Sequence, residues 1–328
     1  MNQIIENIKT KGMQKFIALG ALIILYAFFS VFGNNFFTTD TLVSIFDASY
    51  YIGFLAIGVT FVIITGGIDL SIGTVMMCSA IVGGTLHNNM GLPLWSCLLI
   101  TIAVGGLFGL ANGIMVSRLK LPPFIATLGT MMVSSGIGSI VSNVQSTTFP
   151  MRSSPEGWYK DIFRTADNFP TGFLVLVAFT VLAVIVLNKT VIGRYTFAIG
   201  SNKEAARLSG VNVKKWETVV YVISGLFAGL AGIAYAATYT TILPGAGQGF
   251  ELQAIAGVVV GGTSLSGGVG SIIGTFIGVF IMSVLKIGLP YVDLQPHYQT
   301  LITGIVVIGA VLLDIYRSNR EKRVSIKS

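Results

Sequence analysis

The sequence predicts an all-α polytopic membrane protein of about ten transmembrane helices, with both termini in the cytoplasm. Composition is the first reason. Hydrophobic residues make up 53% and charged residues only 10% of the 328 positions, and mean hydropathy is +0.82. Soluble domains carry about 25% charged residues, so a globular enzyme is excluded. The second reason is length, because the apolar residues fall into runs near the ~20 that cross a bilayer core. The third is the placement of basic residues. For a net charge of +7, the positive-inside rule explains that placement better than nucleic-acid binding does.

Taken in order, the expected spans are 16–33, 44–65, 71–87, 94–117, 123–142, 171–188, 217–238, 250–263, 270–289 and 297–315. Residues 1–15 and 316–328 are cytoplasmic tails, and the whole chain is one transmembrane domain. Lys9, Lys11 and Lys15 precede the first run as in a signal peptide, but the run is long and lacks an A-x-A site, so it reads as a retained span. After span two, Gly66-Gly67 breaks the helix, and Asp69 or Ser71 can cap the next one. Gly261-Gly262 with Ser264 or Ser266 echoes this before span nine. Pro122 and Pro123 suit the first turn of span five. Glycines recur every four residues at Gly105, Gly109 and Gly113, at Gly225 and Gly229, and at Gly270, Gly274 and Gly278. Such stripes let membrane helices approach closely. The eighth span is the weakest, being short and opening with Glu251 and Gln253.

Of the 20 Lys and Arg, all but Arg152, Lys160, Arg164 and Lys286 fall on one side of this arrangement, which sets that side as cytoplasmic. The outer segment 143–170 holds Pro150, Pro155 and four aromatics suited to the membrane interface: Trp158, Tyr159, Phe163 and Phe169.

The longest basic interruption is 189–217. Within it Ser201-Asn202-Lys203-Glu204 reads as a capping box, with Ser201 as N-cap and Glu204 reaching back to it. Ala205, Ala206, Arg207 and Leu208 continue as helix formers, and after Ser209 a left-handed Gly210 ends the helix. A helix this short does not stand alone in water. It is either a surface link between spans or a peg inserted into a partner.

Chemistry-bearing residues are few. No G-x-x-x-x-G-K-[ST] is present, so the chain does not bind ATP through a P-loop, and no nucleophile lies beside a base. His87 and His297 are far apart without ligand-spaced companions, which argues against a metal. Cys78 and Cys97 read as small buried hydrophobes. Ionisable residues within spans are costly in lipid, and only Asp47, Asp69, Glu251 and Lys286 come near. Their scarcity points to energy supplied from outside the chain. Asp69 reads as a structural cap together with Ser71. Span five places Thr127, Thr130 and Ser134 on one face, with Phe124 a turn earlier, while Asn112 and Gln253 offer amides. These six residues form a weak polar pathway or serve as interhelical glue, and both readings stand at this point.

Five segments resemble the permeases of ABC-type monosaccharide importers, the ribose, galactose and xylose group. They are NFFT (Asn35–Thr38), GGIDLSIG (Gly66–Gly73), PFIATLGTM (Pro123–Met131), GRYTFAIGSNKEAARLSGVNV (Gly193–Val213) and FELQAIAGVVVGGTSLSGGVG (Phe250–Gly270). The resemblance implies the larger permease fold typified by the vitamin B12 importer. It further implies a second copy of the permease or a paralogue, an ABC ATPase that carries ATP and Mg and is contacted by residues 201–210, and a periplasmic or lipid-anchored sugar-binding protein. It implies no cofactor in this chain, no nucleic acid, and a bacterial inner-membrane location. Sibling permeases for nucleosides or branched-chain amino acids, and a non-conducting scaffold subunit, are the alternatives.

Overall fold

The computed structural model describes residues 2–327, with side chains from Phe16 to Tyr316 apart from Pro296, Gln299, Ala310, Leu313 and Asp314. The basic side chains assigned to the two tails lie outside the described residues. The helices are α1 (Asn2–Phe32), α2 (Thr39–Ile64), α3 (Ile72–Met90), α4 (Leu94–Ser117), α5 (Pro123–Val141), α6 (Trp158–Asp161), α7 (Thr171–Lys189), α8 (Val191–Ser201), α9 (Lys203–Leu208), α10 (Val213–Tyr239), α11 (Phe250–Val260), α12 (Ile272–Gly288) and α13 (Pro296–Lys327). Among the described residues, six helices are long and apolar enough to cross a membrane: α2, α4, α5, α7, α10, and α12 continued to Val292. Both tails continue the terminal helices rather than leaving them.

Helix α2 is the axis. Every residue from Asp47 to Ile64 is buried, as expected of a helix that is hydrophobic all round. It is wrapped by α7, α10, α11 and α12. Beside it α4 and α10 pack backbone to backbone through the glycines that the sequence marks. An added Cβ at Gly105 would overlap the Gly225 carbonyl, and one at Gly109 the Tyr221 carbonyl. Gly274 and Gly278 do the same against Gly261 and Gly257 of α11. Gly270 is not part of that stripe, because α12 starts two residues later and Gly270 packs on Ile64 instead.

The eighth expected span, 250–263, is the short helix α11 and the turn that follows it. Helix α11 has 11 residues, about 16 Å at 1.5 Å per residue, half of the ~30 Å core. The residues before it run back into the bundle, where Gly247 packs against Gly73 and Met77 of α3. Gly245, Gly247 and Gly249 all have positive φ, which explains why this stretch is not helical. Of residues 241–249 only Ile242 and Gly247 are buried, so this stretch touches the bundle at those two points.

At the end of the bundle opposite α9, Thr147–Thr148 pairs antiparallel with Thr241–Ile242, a two-stranded ladder between segments remote in sequence. Helix α6 folds over the end of α10. Tyr159 Oη donates to the Ala236 carbonyl at 3.3 Å, and Lys160 Nζ donates to the Ala237 carbonyl at 3.2 Å and to Thr240 Oγ1 at 2.5 Å. Arg164 pairs with Asp47 at 3.1 Å and His87 with Glu156 at 3.0 Å. Burial, and after it the Arg152 charge, hold the Lys160 ammonium below the ordinary lysine range. The interface reading of the aromatics is therefore corrected for two of the four. Tyr159 and Phe163 are buried, while Trp158 and Phe169 remain exposed, because α6 turns one face inward against α10.

Candidate functional site

The α8–α9 corner forms where the expected peg lies, with one correction to its cap. Asn202, not Ser201, is the N-cap: its Oδ1 accepts from the Ala205 N–H at 2.9 Å. Ser201 is the last residue of α8, so its side chain is a residue too early. Glu204 does not close a capping box. It pairs with Arg207 at 2.9 Å, one turn on. Gly210 has φ +85°, and the Val211 N–H returns to the Ala206 carbonyl at 3.1 Å, a left-handed termination. Ala206 packs with Ile199 and Val213, and it is the single buried residue from Ser201 to Gly210. Lys203 crosses to Glu217 of α10 at 2.6 Å. Leu208 is 81% exposed.

Two loops meet this corner. The turns after α2 and α11 are the same Schellman closure. Gly66 N–H returns to Ile63 and Gly67 N–H to Val62, at 2.9 and 3.1 Å; Gly262 N–H returns to Val259 and Thr263 N–H to Val258, at 2.9 and 3.1 Å. Gly66 and Gly262 supply the positive φ. The echo between Gly66–Ser71 and Gly261–Ser266 is thus a shared backbone geometry. The loops touch, because the Gly268 N–H donates to the Ile64 carbonyl at 2.8 Å. Gly200, at the end of α8, is wedged between that carbonyl and Gly268, where no Cβ fits.

From the first loop a polar seam enters the bundle. Asp69 is 1% exposed. Its Oδ1 accepts from the Ser71 N–H at 3.1 Å and from Ser71 Oγ at 2.7 Å, and its Oδ2 accepts from Ser224 Oγ of α10 at 2.9 Å. Asn112 of α4 donates to Ser71 Oγ at 2.9 Å, and Thr130 of α5 donates to Asn112 Oδ1 at 2.5 Å. One turn along, Ser134 donates to Thr74 Oγ1 of α3 at 2.8 Å. Asp69 therefore closes the turn into α3. Ser71 occupies the N-cap position, but its hydroxyl serves Asp69 rather than an α3 backbone N–H. A buried carboxylate with several donors is the arrangement that compensates its burial.

The six residues offered as pathway or glue separate accordingly. Asn112, Thr130 and Ser134 are brought together, but as partners inside the α3–α4–α5 seam. Thr127 is buried and donates to the Pro123 carbonyl at 2.9 Å. Gln253 lies apart on α11. Phe124 is 54% exposed and lies one turn before Thr127 at the edge of the polar face; the opposite face of α5 is apolar and exposed, with Ile125, Met132, Val133 and Ile140. Gly129 and Gly136 notch that face, and a side chain added at either would meet no atom within 4 Å. Gly129 and Gly136 are seven apart and form no four-residue stripe, so nothing in the local sequence marks them. Ser224, Thr74 and Gly200 are equally silent in the sequence, because their partners are remote in it.

Known proteins bear on this arrangement at three levels. Residues 41–311 match the family model described as branched-chain amino acid transport system / permease component. The ribose import permease protein RbsC of Escherichia coli K12 is 36% identical over 90% of this chain and 92% of its own length. The fructose import permease protein FrcC of Rhizobium meliloti is 36% identical over 88% and 82%. The galactose/methyl galactoside import permease protein MglC of Escherichia coli K12 is 36% identical over 82% and 84%. In fold, the chain resembles a solved metal-chelate type ABC transporter chain in an inward-facing conformation, with TM-score 0.52 at 17% identity, covering 93% of this chain and 99% of that one. With this coverage and the helical bundle above, the chain belongs to the branched-chain amino acid transport system permease family as a multi-pass membrane protein.

Proposed function

We propose that this chain forms the translocation pathway of an ATP-driven importer for a neutral monosaccharide. Its α9 contacts a separate ATPase that binds ATP and Mg, and a sugar-binding protein delivers cargo at the opposite end, where the two short strands pair. The reading has about ten crossings in the bacterial inner membrane with both termini in the cytoplasm, counting α1, α3, the α11 loop-and-helix and α13. Two copies enclose the route along the exposed faces of α5. The sugar class rests on the named relatives at 36% identity. The observation that carries the mechanism is the wedge of Gly200 against both glycine loops. Through it a displacement of α9 bears on the loop that holds Asp69, and from there hydrogen bonds reach α4, α10 and, through Asn112, α5. The polar residues of α5 hold that helix, and its apolar, glycine-notched face meets the cargo, binding it weakly enough for release.

Gly129→Leu and Gly136→Leu test this directly. Each fills open space, so melting temperature should stay near that of the unmodified protein. Sugar uptake by the reconstituted complex should fall about tenfold or more, as expected for a narrowed passage. Undiminished uptake would assign this face of α5 to lipid. Orientation is checked separately with single cysteines at Ser153 and Ser201, both exposed, in a background lacking Cys78 and Cys97. They should react with impermeant reagent from opposite sides of the membrane, and labelling of both from outside would overturn the topology.

A further inference from the structure

A small cavity of about 190 Å³ opens beside the two-stranded ladder, between the last turn of α3 and the chain that leaves α5. Asn88, Asn89, Asn143, Gln145, Ser146 and Thr147 line it, and no charged residue does. Its volume equals about six waters at ~30 Å³ each, close to what one sugar ring with its hydroxyls displaces. Each amide offers one acceptor and two donors, and each hydroxyl offers both. That is the complement of vicinal sugar hydroxyls.

Part of this wall is already committed to the fold. Asn88 Nδ2 donates to the Thr148 carbonyl at 3.0 Å, and Thr85 and Thr147 hydroxyls lie 3.4 Å apart. Asn89, Asn143, Gln145 and Ser146 are exposed, and their side chains have no protein hydrogen-bond partner among the described residues. The chain that presents them is held in an uncommon conformation. Asn143 and Val144 both have positive φ, 49° and 60°, and for a β-branched residue this is an outlier. Three backbone bonds fix it, from Asn143, Val144 and Gln145 N–H back to Ile140, Ser139 and Ser142 at 2.8 to 3.1 Å. Strain of this kind gathers at ligand sites. The cavity lies just beyond the C-terminal end of α5, on its α3 side.

We propose that this cavity is a transient entry site for the neutral monosaccharide. It would receive the sugar from the binding protein and pass it to the α5 face, and the proposal rests on the translocation reading above. Hydrogen bonds from uncharged groups, with no aromatic platform among the lining residues, make the site weak and quickly vacated, as a passage requires.

The test uses the permease reconstituted in proteoliposomes with its ATPase and sugar-binding protein. Uptake of radiolabelled D-ribose, D-fructose and D-galactose is measured alongside ATP hydrolysis. Asn89→Leu and Gln145→Leu each remove groups that serve no contact in the fold. Each should lower the sugar moved per ATP about fivefold, the effect of one lost hydrogen bond to a ligand, with binding-protein-stimulated hydrolysis unchanged. Asn89→Gln should restore the ratio. An unchanged ratio overturns the proposal. So does a parallel fall in uptake and hydrolysis, which would make this surface a binding-protein contact. Failure of the unmodified complex to move any of the three sugars would instead count against the translocation reading.

Discussion

Replacing Asp69 with leucine is expected to destabilise the protein by at least about 3 kcal/mol, because three buried donors lose their acceptor at a cost of ~1–3 kcal/mol each. Those donors are the Ser71 N–H, Ser71 Oγ and Ser224 Oγ. None has room to turn to water, since Asp69, Ser71 and Ser224 are each 1% exposed. The loss falls at the junction of α3, α4 and α10, so it should appear as a lowered melting temperature in detergent and as early proteolysis near the Gly66–Ser71 loop. Asp69→Asn keeps the size and one carbonyl acceptor, and the serine hydroxyls can rotate to meet its amide, so its cost should be roughly 1–2 kcal/mol. Melting curves of the two variants decide the matter. Equal stability of Asp69→Leu and the unmodified protein would remove Asp69 from the scaffold. A normal melt with failed uptake in Asp69→Asn would make it a cargo ligand instead.

Ala206→Pro should abolish coupling while the spans still insert. The Ala206 N–H donates to the Asn202 carbonyl at 3.0 Å. Proline removes that bond and clashes with the preceding turn, at ~3 kcal/mol or more. A helix of six residues has little stability of its own to lose, and Ala206 is also its contact with Ile199 and Val213. The variant should reach the membrane in normal amount, yet fail to co-purify with the ATPase or to show sugar-stimulated hydrolysis. Asn202→Ala should give a milder version, about 1 kcal/mol for a lost N-cap. Ser201→Ala should be milder still, because its hydroxyl does not cap α9. Full coupling in Ala206→Pro would reduce the corner to a surface link between α7 and α10.

Local sequence by itself determined the membrane class, the helical character, most helix boundaries within a few residues, and the presence of a short helix near residue 205. These follow from effects that act over one or two turns: apolar run length, proline and glycine as breakers, and charge flanking a span. The glycine stripes on α4 and α10 were legible for the same reason, although only the fold shows that they face each other. Tertiary structure decided the rest. Asn202 rather than Ser201 caps α9, because Gly200 must sit against Ile64 and Gly268, which keeps α8 helical through Ser201. The eighth expected span is only the short helix α11, because Gly245, Gly247 and Gly249 before it take positive φ and Gly247 packs against α3. Thr127, Thr130 and Ser134 share one face of α5, as their spacing requires. Whether that face meets a route or a neighbouring helix depends on α3 and α4, whose contacts come from residues 18 to 60 positions away. Helical periodicity sorts residues onto faces, and only the packing of whole helices assigns each face its environment.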